Sequence, residues 1–192
     1  MATLNLCIDI GNTSTKAALF KDGEEVNYWK PFSADIFKEL TSDQSVSILV
    51  SKTGENEELE ALLGEKDYLT SKTNLPLKLD YNTPQTLGPD RIATAAGVLA
   101  IDKENPWVVI DLGTCLTLDL VANGAFQGGL ISPGVQMRFK AMHEFTAALP
   151  LVEMDFNTVF PGKSTQESLQ VGVCQSIMHE IMGYITMLNK GY

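Results

Sequence analysis

The first stretch of the sequence that could do chemistry reads LCIDIGNTSTKAALF and covers Leu6–Phe20. An apolar run carries Asp9, a short polar turn follows, and Lys16 opens a second apolar run. Gly11 allows the turn a backbone conformation or a close approach that a side chain would block. Backbone N–H, amide and hydroxyl groups in such a turn can surround a phosphate, and oxygen ligands can reach a cation. A plain β-hairpin has the same pattern, so one copy alone does not separate the two interpretations.

The same arrangement occurs a second time, in WVVIDLGTCLTLDLV at Trp107–Val121. Asp111 and Gly113 follow Asp9 and Gly11 at one constant offset, and a short Asx-Gly turn closes each copy. A period this long excludes a solenoid and indicates two related domains, each opening with a three-strand meander. A nucleotide held between two such turns would receive donors from both. The repeat therefore favours a phosphate site over two unrelated hairpins.

Length and composition are those of an ordinary globular protein. The 192 residues are 44% hydrophobic and 20% charged, and no apolar run approaches the roughly 20 residues of a membrane span. The net charge is −10 and no basic patch indicates nucleic-acid binding, so an anionic ligand needs local donors such as Lys16 and Arg91. The first residues lack a signal-peptide pattern, and the three cysteines form no CxxC pair, which favours the cytoplasm. Cys7 is expected to be a small core residue.

The remaining pattern predicts an α/β chain in two halves. Helices are expected at 33–42, 55–63, 90–100, 133–143 and 166–188, with a buried strand at 45–50 and extended pieces at 68–70 and 75–81. The polar segment 102–106 is interpreted as a link, which places the domains at 1–104 and 105–192. The acidic residues of the second helix, among them Glu60, are expected on a solvated face. The second half shows no strand after its meander, so either it is smaller or a C-terminal piece is missing, and we favour the second interpretation.

Three further segments place polar groups in turns before helices. In LGPDR, Asp90 follows Gly88-Pro89 and is expected to cap free N–H groups at a helix N-terminus. A carboxylate positioned in this way can also accept the proton of an attacking hydroxyl in phosphoryl transfer. Arg91 can bind a carboxylate or phosphate in bidentate fashion.

The other two segments are GGLISPG at 128–134 and GKSTQESLQVG at 162–172. The glycines of the first mark a strand exit and a helix entry, or positions where backbone approaches a ligand. In the second, Ser164 or Thr165 is the expected N-cap of the last helix, and a helix N-terminus can bind an anion.

Taken in series, DIGNTSTK, Tyr81 followed by GPDR, DLGTCLT with GGLISPG, and GKSTQES resemble the type III pantothenate kinases. That family belongs to the superfamily of acetate and sugar kinases, heat-shock ATPases and actin. The resemblance implies two ribonuclease H-like (actin-like ATPase) domains, each a mixed sheet with helices, the second incomplete at its C-terminus. Family members continue with a strand, a Gly-Gly turn that contacts adenosine, and a closing helix. Cys115 and Ser164 stand where the family usually has Ala and Asn.

The implied reaction is transfer of the γ-phosphoryl group of ATP to pantothenate, the first step of coenzyme A biosynthesis, with Asp90 as general base. Asp111 would bind a monovalent cation, potassium or ammonium, and Mg²⁺ would accompany the nucleotide. The implied ATP-binding residues are Asp9, Ile10, Gly11, Asn12, Thr13, Ser14, Thr15, Lys16 and Thr114. The implied pantothenate-binding residues are Tyr81, Gly88, Pro89, Asp90, Arg91 and Thr165.

The resemblance further implies a cytoplasmic homodimer that acts on a small molecule, without a nucleic-acid or membrane partner. Two alternatives stay open. Another small-molecule kinase of the superfamily is disfavoured by the GPDR turn, which the wider superfamily does not share. A non-catalytic regulator that binds nucleotide or pantothenate is disfavoured because Asp90, Arg91 and Asp111 are all present.

Overall fold

The computed structural model describes residues 4–42 and 46–191. The chain divides into two compact units, one formed by Met1–Ile101 with Gly124–Phe126 and the other by Asp102–Asn123 with Gln127–Tyr192. Both units contain strands and helices, so the α/β class is confirmed. The domain boundary at 104/105 stays a prediction.

The first unit opens with the expected meander. β1 (Leu4–Ile10) pairs antiparallel with β2 (Thr15–Lys21), and β2 pairs antiparallel with β3 (Glu24–Trp29). β4 (Val46–Lys52) pairs parallel with β1, so the order of strands in the sheet is β3-β2-β1-β4. Asp22 and Gly23 join β2 to β3 with φ angles of 53° and 93°. This left-handed pair is the conformation that a two-residue hairpin turn requires. The predicted start of β4 at Ser45 lies outside the described residues.

Alternation along β1 decides which of its side chains enter the core. Leu6, Ile8 and Ile10 are buried in one cluster with Phe37 of α1 (Ala34–Ser42). Cys7 lies between them on the opposite face of the strand and is exposed, so the prediction that it belongs to the core was wrong.

Two other α-helices lie in the described part of the first unit. α2 (Glu57–Glu60) is a single turn and much shorter than the predicted 55–63, whereas α3 (Pro89–Ile101) agrees with its prediction. The extended pieces are also short: 68–70 contributes a single bridge between Val50 and Tyr68, and 75–81 contributes β5 (Lys78–Leu79).

The second meander repeats the first in its strands and its turn. Its strands are β6 (Trp107–Leu112), β7 (Cys115–Ala122) and β8 (Ala125–Pro133). In the sheet β7 lies between β6 and β8, and the full order is β5-β8-β7-β6. Asn123 and Gly124 have φ angles of 54° and 70°, like the Asp-Gly turn of the first meander. β5 pairs parallel to the first two residues of β8, which group with the first unit.

Helices enclose the core of the second unit. They are α4 (Val135–Glu144), α5 (Thr165–Gln170), a π-helical turn (Val171–Gln175) and α6 (Ser176–Leu188). The predicted single helix at 166–188 is therefore interrupted by the π turn. The buried core includes side chains from β7, α4 and the helical stretch 165–188, among them Leu116, Phe139, Val173 and Ile177.

An ion pair joins α4 to α6. Arg138 donates to the carboxylate of Glu180 and also to the hydroxyl of Ser132 at the end of β8. Burial opposes ionisation of Glu180, but the hydrogen bonds with Arg138 and Ser132 hold the pKa of Glu180 below its ordinary value. Across residues 4–42 and 46–191, no helix has the length and apolar character needed to cross a membrane.

Replacing Gly129 by alanine tests how closely β8 approaches β7. A Cβ atom at this position would lie 2.2 Å from the carbonyl oxygen of Leu118 and 2.2 Å from a carboxylate oxygen of Asp119. We expect Gly129→Ala to lower the free energy of unfolding by about 1–3 kcal/mol, the usual cost of overpacking, in urea denaturation. Gly97→Ala is the control, because that helical glycine has nothing within 4 Å of the new atom. Equal stability of the two variants would contradict the close approach.

Candidate active site

The turn between β1 and β2 presents its polar groups at the surface. The N–H of Gly11 donates to the carbonyl of Ser14 at 3.2 Å and closes the turn. Asn12 and Thr13 between them are exposed. The structure thus places the amide, hydroxyl and backbone donors of this segment together, as a phosphate-binding turn needs.

Asp9 and Lys16 face each other across this hairpin. They are register partners on β1 and β2, and the Lys16 Nζ lies 3.2 Å from the Asp9 Oδ2. Their side chains are 39% and 37% exposed. An ion pair with this exposure contributes little to stability, about 0–1 kcal/mol. Both groups can therefore change partners at small cost when a phosphate or a cation arrives.

The loop after β4 is hydrogen-bonded to the end of β1, where this turn begins. The carbonyl of Ile10 accepts hydrogen bonds from the N–H groups of Thr53 at 2.9 Å and Gly54 at 2.8 Å. A Cβ atom on Gly54 would lie 2.3 Å from the carbonyl oxygen of Gly11. Any side chain at position 54 would thus displace the turn. Sequence reasoning missed this residue, although a glycine two residues after the strand was a visible signal.

Asn56 extends the same support to the first residue of β2. Its Nδ2 donates to Thr15 Oγ1 at 3.0 Å, and its Oδ1 accepts from the N–H of Leu59, which caps α2. Glu60 accepts from the N–H of Asn56 at 2.8 Å and forms an ion pair with Lys52. The expected solvated face holds for Glu55, Glu57 and Glu58, which are exposed, whereas the Glu60 side chain is 23% exposed and its carboxylate is paired within this loop.

A second group of predicted residues lies at the N-terminus of α3. Pro89 is the first helical residue and Asp90 follows in the first turn, half-buried, with its Oδ1 accepting from the N–H of Arg91 at 2.8 Å. A Cβ atom on Gly88 would lie 2.5 Å from the same Oδ1. The glycine thus leaves the space that the Asp90 carboxylate uses.

Two predicted substrate residues meet at one aromatic ring within the first unit. The ring centroid of Tyr81 lies 5.7 Å from that of Phe126, edge to face at 71°, and the Arg91 guanidinium carbon lies 5.3 Å from the Phe126 centroid. Arg91 is only 6% exposed and Phe126 is fully buried. Phe126 was not found from the sequence, because nothing local connects it to Tyr81 or Arg91.

The turn between β6 and β7 has a similar construction. Asp111 is exposed near the end of β6, and the N–H of Gly113 donates to the carbonyl of Cys115 at 3.0 Å. Gly134 donates its N–H to the carbonyl of Thr114, and a Cβ atom on it would lie 2.3 Å from the Gly113 carbonyl oxygen. The predicted close approach at Gly134 is thus an approach to this turn.

The donor set around these turns fits cations that share ligands with a nucleotide. Among the described residues, no group of three or more His, Cys, Asp or Glu side chains could hold a metal ion. Mg²⁺ commonly binds through one or two carboxylates together with substrate phosphates, so Asp9 is a suitable single ligand. Asp111 can likewise supply one oxygen to a monovalent cation.

Thr165 lies at the start of α5 and its side chain is exposed. Ser164 is the N-cap: its Oγ accepts from the N–H of Glu167 at 3.2 Å, while Glu167 accepts from the N–H of Lys163 at 2.6 Å. A cavity of about 590 Å³ lies beside this cap, and its lining includes Asp155 and the three capping residues. The Ser164 cap resolves the choice between Ser164 and Thr165 that the sequence left open.

A family model described as type III pantothenate kinase matches residues 44–187. The chain belongs to the type III pantothenate kinase family. A protein of that name from Cytophaga hutchinsonii is 37% identical over 194 residues, which cover 98% of this chain and 82% of the relative. A type III pantothenate kinase from Bacteroides fragilis is 39% identical over 201 residues, with the same two coverages.

A solved structure is also similar to this member of the type III pantothenate kinase family. It comes from Campylobacter jejuni and is described as a conserved candidate Baf family transcriptional activator. The TM-score is 0.55 at 27% identity, over 93% of this chain and 78% of that one.

Replacing Gly54 by alanine tests the support of the first turn. Because the new Cβ would overlap the Gly11 carbonyl, the turn must shift, and we expect ATP to bind at least tenfold more weakly in calorimetry, about 1.4 kcal/mol. Gly97→Ala serves as control. Circular dichroism checks that both variants fold, and unchanged ATP affinity in folded Gly54→Ala would disprove this role of Gly54.

The Lys52–Glu60 pair predicts how the loop responds to acid. The hydrogen bond with Lys52, then that from Asn56, lowers the pKa of Glu60. A carboxyl group whose pKa is lower in the folded than in the unfolded state stabilises the folded protein at pH values above its unfolded-state pKa, about 4.3. This contribution is lost as the pH falls through the folded-state pKa. We expect Glu60→Gln to be less stable than the parent at pH 7 and to approach it at pH 3, measured by thermal unfolding. A constant difference between pH 7 and pH 3 would contradict the assignment.

Proposed function

We propose that this chain performs the reaction for which its family is named. It transfers the γ-phosphoryl group of ATP to pantothenate and releases ADP and 4'-phosphopantothenate, the first step of coenzyme A biosynthesis. The observation that carries the proposal is the identity of 37% to a curated type III pantothenate kinase across 98% of the chain. The two Asp-x-Gly turns and the Gly88–Arg91 turn support it from the structure.

In this proposal the residues assigned to ATP from the sequence bind its phosphates. They are Asp9–Lys16, with the donors of Ile10, Gly11 and Ser14 among them, and Thr114. Lys16 leaves Asp9 for a phosphate oxygen, which their exposure permits. Asp9 would take part in holding the Mg²⁺ that accompanies ATP, and Asp111 would hold potassium or ammonium. Such cations would supply charge that neutralises the phosphates, while the chain's donors orient the nucleotide.

Asp90 acts as general base in the same proposal. As the pantothenate hydroxyl oxygen bonds to the γ-phosphorus, the bond from that phosphorus to the β–γ bridging oxygen breaks and ADP leaves. The hydroxyl proton passes to the Asp90 carboxylate late in a loose transition state, so a positioned carboxylate is sufficient. The helix start and Gly88 hold that carboxylate in place.

Pantothenate contacts residues from two places in the chain. Tyr81, Gly88, Pro89 and Arg91 lie close in sequence to Asp90, and Thr165 contributes from the start of α5. Arg91 supplies a buried positive charge suited to the substrate's carboxylate.

We also propose the finer fold assignment, a pair of ribonuclease H-like domains at 1–104 and 105–192. The sheet order β3-β2-β1-β4, with three antiparallel strands and a parallel fourth, supports this for the first domain. The proposed enzyme is a cytoplasmic homodimer.

A non-catalytic regulator is the second candidate function. It is favoured by the Campylobacter jejuni relative, which is described as a candidate transcriptional activator. The net charge of −10 argues against direct contact with DNA phosphates, so such a regulator would act through a small molecule or another protein.

Coupled ADP release tests the proposed reaction. We expect turnover that requires pantothenate, rises with potassium, and falls about 10²–10⁴-fold in Asp90→Asn, the usual range for loss of a general base. ATP binding should be retained, since Asp90 is proposed to act on the acceptor. Asp35→Asn is the matched control because Asp35 is an exposed aspartate in the first turn of α1.

Other outcomes of the same assay separate the alternatives. Turnover with acetate or a sugar, but not with pantothenate, would identify another kinase of the superfamily. Nucleotide binding without turnover for any acceptor would favour the regulator. Full activity of Asp90→Asn would remove Asp90 from the chemistry.

A further inference from the structure

Phe126 occupies an unusual place in the chain. It is the second residue of β8, after the second Asp-x-Gly turn in sequence, yet it groups with the first unit. Its side chain is fully buried. The proposed function assigns no role to it.

The backbone of Phe126 fixes the strand that leads to Tyr81. Leu79 on β5 is its register partner, and its carbonyl accepts a hydrogen bond from the N–H of Asp80 at 2.9 Å. The ring then meets the Tyr81 ring at 5.7 Å and 71°. An edge-to-face contact at this separation restricts the orientation of the tyrosine beyond simple burial.

The same ring contacts the guanidinium group of Arg91. The guanidinium carbon lies 5.3 Å from the ring centroid, within the distance at which a cation is attracted to an aromatic face. Arg91 is 6% exposed, and desolvation strengthens such an attraction. A buried charge needs defined partners, so the ring contributes to both the energy and the orientation of Arg91.

We propose that Phe126 is a positioning residue for the acceptor substrate. It fixes the position of Tyr81 relative to Arg91, which directly follows Asp90 in sequence. It thereby sets the position in which the carboxylate end of the acceptor binds. Phe126 does not touch the reacting atoms. This inference rests on the proposed function, because Tyr81 and Arg91 are assigned to pantothenate there.

Phe126→Leu is the direct test, because leucine keeps the backbone pairing with β5 but removes the aromatic ring. We expect KM for pantothenate to rise at least tenfold, with KM for ATP changed less than twofold. Phe37→Leu is the matched control, since Phe37 is a buried core phenylalanine of the same unit, only 5% exposed. It should lower the thermal midpoint comparably while leaving both KM values near those of the parent. If Phe126→Leu is too unstable, Phe126→Met keeps more of the volume and still removes the ring.

A double-mutant cycle with Tyr81→Leu separates positioning from general destabilisation. If Phe126 acts through Tyr81, the fold-change in KM for pantothenate of the double variant will be much smaller than the product of the two single-variant fold-changes. Independent effects in the cycle, equal changes in both KM values, or an unchanged KM for pantothenate in Phe126→Leu would each overturn the inference.

Calorimetric titration of pantothenate distinguishes this inference from the proposed function. Binding to the parent chain that weakens at least tenfold in Phe126→Leu supports the positioning role, even if no turnover is seen. Absence of both turnover and binding in the parent chain would reject the proposed function and this inference together. An active parent with unchanged pantothenate binding in Phe126→Leu would reject only the inference.

Discussion

The approach of one glycine to each Asp-x-Gly turn is the constraint on which both turns depend. Gly54 lies so close to Gly11, and Gly134 so close to Gly113, that in each case a Cβ atom would lie 2.3 Å from a carbonyl oxygen. Each supporting glycine also donates its N–H to a carbonyl at its turn. The repeat recognised in the strands thus extends to the backbone that supports them. A turn held in this way has its donors arranged before a ligand arrives, which reduces the entropy lost on binding.

This arrangement explains how an acidic chain can bind a polyanion. A net charge of −10 gives no long-range attraction for ATP, so the binding energy must come from short, directed contacts. In the proposed site, backbone N–H groups supply these contacts without adding net charge, and Lys16 adds one local cation. Lys16 is paired with Asp9 and both are part-exposed, so in the proposed ATP site their charges balance each other before phosphate and cation bind. The weak pair therefore suits a site that must also release its product.

The sequence was most informative where structure is local. Alternating apolar residues, Asx-Gly turns and the Pro89 helix start predicted both meanders and α3 correctly. The sequence did not reveal contacts between distant segments. Gly54 and Asn56 contact a turn about forty residues earlier. Phe126 contacts Tyr81 and Arg91, which precede the second turn in the chain. α2 was overpredicted because acidic residues of high helix propensity filled 55–63, whereas the Asn56 cap and the Lys52–Glu60 pair favour a single turn held to the sheet.

The contacts of Phe126 link residues on the two sides of the domain boundary that the sequence repeat predicts. A division at 104/105 follows the sequence repeat, and two contacts cross it, because β5 pairs with β8 and Arg91 contacts Phe126. The first unit is therefore completed by Gly124–Phe126, a short segment from a hairpin of the second half. Tyr81 and Arg91 share one ring only because that hairpin returns to β5. The segment that carries Tyr81 and Arg91 is thus local in sequence but depends on a distant segment for its geometry.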